Sequence, residues 1–314
     1  MEKTLDAVVV GGGPAGLQAG LTLGRMHLDT VVLDAGPTGA GYRNDPADAM
    51  HNLIGHDGQK PAELRAAARA DLAAYACVEL REQRVDRIGP ACDSEGFTVT
   101  TPDGILRTRA VVLATGLRDI LPETPGLADV FGSVAAHCPF CHGHEYAGGH
   151  VAFLGHGPHT TRLVAMMGRI AERRTVLADG AAVPDDALAT LRSLGAEVRP
   201  ERVLAVEPAG EGARVRLEGG DEVAVDGMFV ATTLAQAAPF AEQLGLDMQE
   251  SGAIRVDGFG RTSRPGVYAA GDLAHADTYP MAVSAVAAAI AAGQIAAATV
   301  VADLVARELE QVGA

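Results

Sequence analysis

The stretch His137-Cys138-Pro139-Phe140-Cys141-His142-Gly143-His144-Glu145 gathers two thiols, three imidazoles and a carboxylate within nine residues. Two cysteines separated by two residues can close a small disulfide, and a helix starting at the first would lower its thiolate pKa. His142 follows Cys141 directly. An imidazole titrates near neutrality and can take a proton from an incoming thiol. Glu145 is placed to orient that imidazole if the segment is helical. The plain alternative for His142 is a surface histidine with no role, and His144 is open between the two. A zinc site would need two further ligands at matched spacing, which the neighbouring histidines could supply. Against it, Cys77 and Cys92 form no second CxxC. These two read as inert, Cys77 in a helix-like stretch and Cys92 in a surface turn.

Such a dithiol needs rigid elements around it, and the sequence supplies two similar sets. Asp6-Ala-Val-Val-Val10 runs into Gly11-Gly-Gly13-Pro14-Ala15-Gly16, followed by a helical pattern from Leu17 to Met26 and a second apolar run, Thr30 to Leu33, ending at Asp34. A strand, glycine turn, helix and strand within about thirty residues is the dinucleotide-binding layout. Gly11 permits the tight turn, Gly13 lets backbone approach a pyrophosphate, and Gly16 lets the helix pack on the strand. The pyrophosphate would sit on the free N–H groups at the positive helix end. Asp34 is placed to accept hydrogen bonds from a ribose diol.

A weaker copy follows: Val151 to Leu154, then Gly155-His156-Gly157-Pro158-His159-Thr160, a helical run, and strand residues Val176 and Leu177 before Asp179. Each half closes on a similar strand, Ala110 to Gly116 and Gly227 to Thr233. This pattern reads as an internal duplication. The expected fold class is α/β, with two Rossmann-like three-layer nucleotide-binding domains. The expected boundaries are 1–116 plus 245–314 for the first, discontinuous domain and 117–244 for the second, which carries the CxxC. Pro/Gly-rich stretches at Leu121 to Gly126 and Ala237 to Gly245 read as hinges. Gly266 to Asp272 and the helix after it would return to complete the first domain.

Composition narrows the class. With 314 residues the chain is long enough for two cores, and a formal net charge of −15 argues against nucleic acid and anionic membrane surfaces as partners. Four cysteines are too few for a disulfide scaffold and point to a reducing, cytoplasmic setting. No basic segment followed by an apolar stretch opens the chain, so no signal peptide is read. Ala282 to Ala302 carries no charge and has the length to span a bilayer, but Ser284, Gly293, Gln294 and Thr299 interrupt it and Ala contributes little transfer energy. A buried helix is expected there.

Three stretches together resemble the low-molecular-weight thioredoxin reductases: the N-terminal glycine turn, Ala114-Thr115-Gly116, and Ala270-Gly271-Asp272. The resemblance is collinear over nearly the whole chain. It implies that architecture, an FAD in the first domain and a homodimer. For the cofactor it implies contacts from Gly11, Gly13, Pro14, Ala15, Gly16, Asp34, Asn52, Val85, Ala114, Gly116, Asp272 and Met281, with Asp272 on the flavin ribitol chain. For the dithiol it implies that Cys141 is the flavin-proximal sulfur and Cys138 the one that exchanges with substrate.

Two departures shift the expected activity. Those reductases carry Asp after the second cysteine, where this chain has His142. Their second glycine turn binds NADPH, whereas here Thr160 replaces the third glycine and Ala178-Asp179-Gly180 replaces the basic cluster. An acid there repels a 2′-phosphate, although it tolerates NADH. The motif Cys-Pro-Phe-Cys-His-Gly is similar to that of the natural-product dithiol oxidases of the holomycin, gliotoxin and romidepsin type. That similarity implies closure of a disulfide in a small dithiol, with oxygen as acceptor and hydrogen peroxide as by-product. The alternatives are an NAD(P)H-dependent thioredoxin or disulfide reductase and a non-enzymatic redox-sensing flavoprotein.

Overall fold

The computed structural model describes residues 3–36, 41–91 and 95–313. They form two compact units: Met1–Arg43, Pro61–Arg118 and Leu234–Ala314 make the first, Asn44–Lys60 and Asp119–Thr233 the second.

The first unit is built on a seven-stranded sheet. Thr4–Val10 lies between Thr30–Leu33 and Gly104–Leu113, all parallel, and Val267–Ala269 joins the far side of Gly104–Leu113. Register aligns Val10 with both Leu33 and Leu113, and Leu113 with Ala269. Four strands therefore end level, so Gly11, Asp34, Ala114 and Ala270 emerge along one sheet edge. The strands are apolar on both faces because both are covered. Val8, Val10, Val31 and Leu33 face a core with Phe97 and Ile254, while Ala7, Val9 and Val32 face the helices Pro14–Arg25 and Val286–Gly313. Those helices touch through small residues: a Cβ on Gly293 would lie 2.1 Å from the Ala15 carbonyl oxygen.

Val286–Val312 is long and apolar enough to cross a membrane by length and composition. One stripe of it, Ala289, Ala296, Ala297, Val300 and Leu304, is buried in the core of this unit, which makes it a core helix.

The second unit holds a five-stranded parallel sheet in the order Glu197–Arg199, Arg173–Leu177, His150–Leu154, Gly227–Val230, Ala135–Ala136, with a three-stranded antiparallel sheet spanning Val203 to Val225. Ala135–Ala136 pairs in parallel with Met228 and Phe229. The chain leaves that short strand directly into His137 and Cys138, so the dithiol lies at the carboxyl end of the sheet, where ligand sites of open α/β sheets form.

The boundaries differ from expectation in three places. Residues 44–60 join the second unit, and residues 117–118 and 234–244 belong to the first. The supposed hinge at Ala237 to Gly245 is a short helix, Phe240–Leu244, with Pro239 before it and left-handed Gly245 (φ 62°) after it. Phe240, Ala241 and Leu244 are buried against Val85 and Ile88. Leu121 to Gly126 is likewise packed: Val206 N–H donates to the Pro125 carbonyl at 2.9 Å, and a Cβ on Gly126 would lie 2.0 Å from the Val206 oxygen.

Candidate active site

The dithiol occupies a single helical turn, Pro139–His142, with Cys138 at its N-cap position and Gly143 at its end. Proline at the first helical position suits this start, because its missing N–H has no partner to lose. The Cys141 and His142 N–H groups donate to the Cys138 carbonyl at 3.2 and 3.3 Å, which folds the two sulfurs to 2.7 Å apart. Phe140 projects between them in sequence and is 70% exposed.

His142 Nε2 lies 3.1 Å from the Gly132 carbonyl oxygen. A carbonyl can only accept, so Nε2 carries the proton and Nδ1 presents its lone pair. Nδ1 is buried and has no hydrogen-bond partner. The ring is backed by Tyr146 at 6.5 Å between centroids. Burial, and then the Glu145 charge, push the Tyr146 phenol well above its usual range, and its hydroxyl donates to the Ser133 carbonyl at 2.7 Å.

Glu145 does not orient His142. The helix stops at Gly143, so the three-residue spacing no longer places the two on one face, and Glu145 Oε1 instead lies 3.4 Å from His51 Nε2. His51 Nδ1 faces Asp57 at 3.5 Å, and the neighbouring Asn52 amide donates to the Phe140 carbonyl. His144 is exposed. Among the described residues no group of three or more His, Cys, Asp or Glu side chains is arranged to hold a metal ion.

In the first unit the glycine turn forms a cradle. Gly11 has φ +119°, and a Cβ there would lie 2.3 Å from the Ala114 carbonyl oxygen; one on Gly16 would lie 1.8 Å from the Gly11 oxygen. Nothing lies within 4 Å of a Cβ built on Gly13. Two glycines therefore close the turn on itself and the third opens onto free space above the N-terminus of Pro14–Arg25. Asp34 is buried; its Oδ1 accepts the Gly36 N–H at 3.1 Å and its Oδ2 accepts from the Tyr42 hydroxyl and the Arg69 guanidinium. Burial, with the carboxylate beside it, pushes the Tyr42 phenol up to about 12. Asp272 pairs with Arg43 at 2.7 Å, and the same Arg43 nitrogen donates to Ser284 at 2.6 Å.

Residues 5–293 match the family model described as pyridine nucleotide-disulphide oxidoreductase. The chain belongs to that family. It is 30% identical to the thioredoxin reductase tcpT of Claviceps purpurea, over 96% of this chain and 95% of that one. The thioredoxin reductase sirT of Leptosphaeria maculans is 32% identical, with 86% of each chain covered. The crystal structure of HlmI superposes with a TM-score of 0.89 at 29% identity, covering 99% of this chain and 96% of that one. This oxidoreductase is thus a thioredoxin-reductase-like flavoprotein, and its cofactor is FAD.

The cradle fits FAD: Gly13 clears the place for a pyrophosphate, and Asp34 retains lone pairs for a ribose hydroxyl beside its protein donors. Tyr42, Arg43 and Arg69, which bind the two site acids, carried no motif that would single them out. Of the remaining expected cofactor residues, Ala114 closes the sheet edge, Gly116 turns the chain at φ 71°, Val85 is buried in the core, Met281 is 57% exposed, and Asn52 lies in the second unit.

The flavoprotein's second glycine turn keeps its backbone, with Gly155 at φ 84° and Gly157 at φ 144°, both open to space. Its acid accepts one protein hydrogen bond. Asp179, itself at φ 54°, accepts the Val203 N–H at 2.7 Å, tying the strand end to the next sheet. Arg173 and Arg174 open the strand Arg173–Leu177, at the end away from that acid, and Arg174 donates to the Val164 carbonyl at 3.2 Å. Cys77 lies in the turn before Val78–Arg81, not in a helix, with its thiol on the Gly24 carbonyl at 3.5 Å. Cys92 lies outside the described residues.

Proposed function

We propose that this flavoprotein is a dithiol oxidase that closes an intramolecular disulfide in a small-molecule natural product, with oxygen as acceptor. The observation that carries the reading is the imidazole directly after Cys141, fixed on the dithiol turn by its bond to the Gly132 carbonyl. The relatives tcpT and sirT, thioredoxin reductases by name, support disulfide exchange on this fold and leave the direction of electron flow to the site itself. Thr160 at the third glycine position, and an acid in place of the basic cluster, weaken the case for NADPH as reductant.

In this account His142 removes a proton from a substrate thiol, and the thiolate attacks Cys138 Sγ in the oxidised, disulfide form of the pair. Cys141 leaves as a thiolate. The second substrate thiolate then attacks the substrate sulfur of the mixed disulfide and releases Cys138, so the substrate loses two electrons and two protons. FAD, when bound, supplies the two-electron acceptor that links the reduced pair to oxygen. A homodimer and a cytoplasmic setting belong to the same proposal. The test is stoichiometric: in air, a small dithiol should yield about one hydrogen peroxide per disulfide formed, as two-electron chemistry requires. Disulfide formation without peroxide would contradict oxygen as acceptor.

The open Gly155 and Gly157 favour one second reading, an NADH- or NADPH-fed disulfide reductase.

A further inference from the structure

Residues 44–60 lie, in sequence, inside the half that carries the first glycine turn, yet they belong to the compact unit that carries the dithiol. Three contacts tie this strap to the turn. Pro46 packs so closely on Gly132 that a Cβ there would lie 2.5 Å from the Pro46 carbonyl oxygen, and the Gly132 carbonyl holds His142. His51 faces Glu145 at 3.4 Å. Asn52 Nδ2 donates to the Phe140 carbonyl.

The third contact acts on the peptide between the cysteines. The Phe140 carbonyl and the Cys141 N–H are the two ends of one planar unit. The Cys138 carbonyl holds the N–H end at 3.2 Å, and Asn52 holds the other. Together they fix the plane from which the Cys141 side chain departs toward Cys138. The turn has only four residues and no side-chain cap hydrogen bond at its start. Asn52 is held for the purpose: its backbone sits at φ 61°, which Asn tolerates, and its N–H donates to Asp57 Oδ1 at 2.8 Å.

We propose that Asn52 is a positioning residue that sets how readily Cys138 and Cys141 close their disulfide. The inference rests on the two cysteines being an exchanging pair and is independent of oxygen as acceptor. In the measured reaction the two thiols form one S–S bond, and their two electrons and two protons pass to oxidised dithiothreitol.

The test compares holoprotein, Asn52→Asp and Asn52→Gly, each equilibrated without oxygen across a series of reduced to oxidised dithiothreitol ratios. Thiols are trapped with a maleimide and counted by mass, and bound FAD is read by absorbance after the trapped protein is desalted and reoxidised in air. Both replacements accept positive φ and both lack the amide donor, so either can serve if the other does not fold. We expect each to shift the equilibrium toward the dithiol by about tenfold, or about 30 mV at two electrons, with FAD retained. An equilibrium within twofold of wild type, or FAD lost with the equilibrium unchanged, would overturn the assignment. Wild-type protein that forms no disulfide at any ratio would instead overturn the reading of the pair itself.

Discussion

His142 Nε2 donates to the Gly132 carbonyl at 3.1 Å, and this one bond decides which imidazole nitrogen can accept a proton. Gly132 is fixed in turn, at φ 98° beneath Pro46. The tautomer is therefore set by backbone and not by a carboxylate, which separates this site from the acid-oriented histidines of hydrolase triads.

Replacing His142 by Ala removes the base and should lower turnover of a small dithiol by roughly 10²–10⁴-fold near neutral pH. The deficit should shrink at alkaline pH, where thiols ionise unaided. A steady-state pH profile of both proteins measures this, and equal rates at pH 7 would leave His142 without a catalytic part.

The cradle makes a separable prediction about Gly13. No protein atom lies within 4 Å of a Cβ there, so Gly13→Val should fold with a melting temperature close to that of the wild-type apoprotein. The added methyls would occupy the place assigned to the pyrophosphate, so the purified variant should be colourless and fail to take up FAD. Full FAD retention by Gly13→Val would move the cofactor away from this turn.

His150 offers a prediction about pH and stability. It is buried, with Nδ1 on the Ala224 carbonyl at 2.7 Å and Nε2 on the Thr175 hydroxyl at 2.8 Å. Burial, and then the Arg173 charge, hold its pKa below the ordinary value. As pH falls below about 6.5 the unfolded chain takes up a proton that the folded state refuses. The contribution is thus fully present above that pH and lost as pH falls toward the depressed folded value, at a slope of at most about 1.4 kcal/mol per unit. Thermal melts from pH 8 to 5.5 should show a falling midpoint that His150→Gln flattens. Parallel curves for the two proteins would count against it.

What could be read without coordinates was local. The first glycine turn, its flanking strands and Asp34 declare themselves because strand, turn and helix signals succeed one another within thirty residues. The strap on the dithiol could not be read, because Asn52 and Phe140 are 88 positions apart, nor could the Arg43–Asp272 pair at 229. Glu145 is visible as an acid, but its three-residue spacing pairs it with His142 only in a helix that continues past Gly143, and it faces His51 instead. Proline and glycine at Leu121 to Gly126 and Ala237 to Gly245 mark element ends correctly. The chain changes unit at 118/119 and 233/234, just before each stretch, while Gly126 and Phe240 themselves are packed into the units they adjoin.

The oxidase reading is tested most directly by asking what reduces the bound flavin without oxygen. Anaerobic stopped-flow should compare NADPH, NADH and a small dithiol side by side against the holoprotein. With Thr160 at the third glycine position and Ala178-Asp179-Gly180 in place of the basic cluster, neither nucleotide should bleach the flavin at a useful rate. The dithiol should bleach it, and admitted oxygen should restore the colour. Rapid bleaching by either nucleotide, followed by reduction of a disulfide substrate, would contradict the oxidase and establish a reductase in its place.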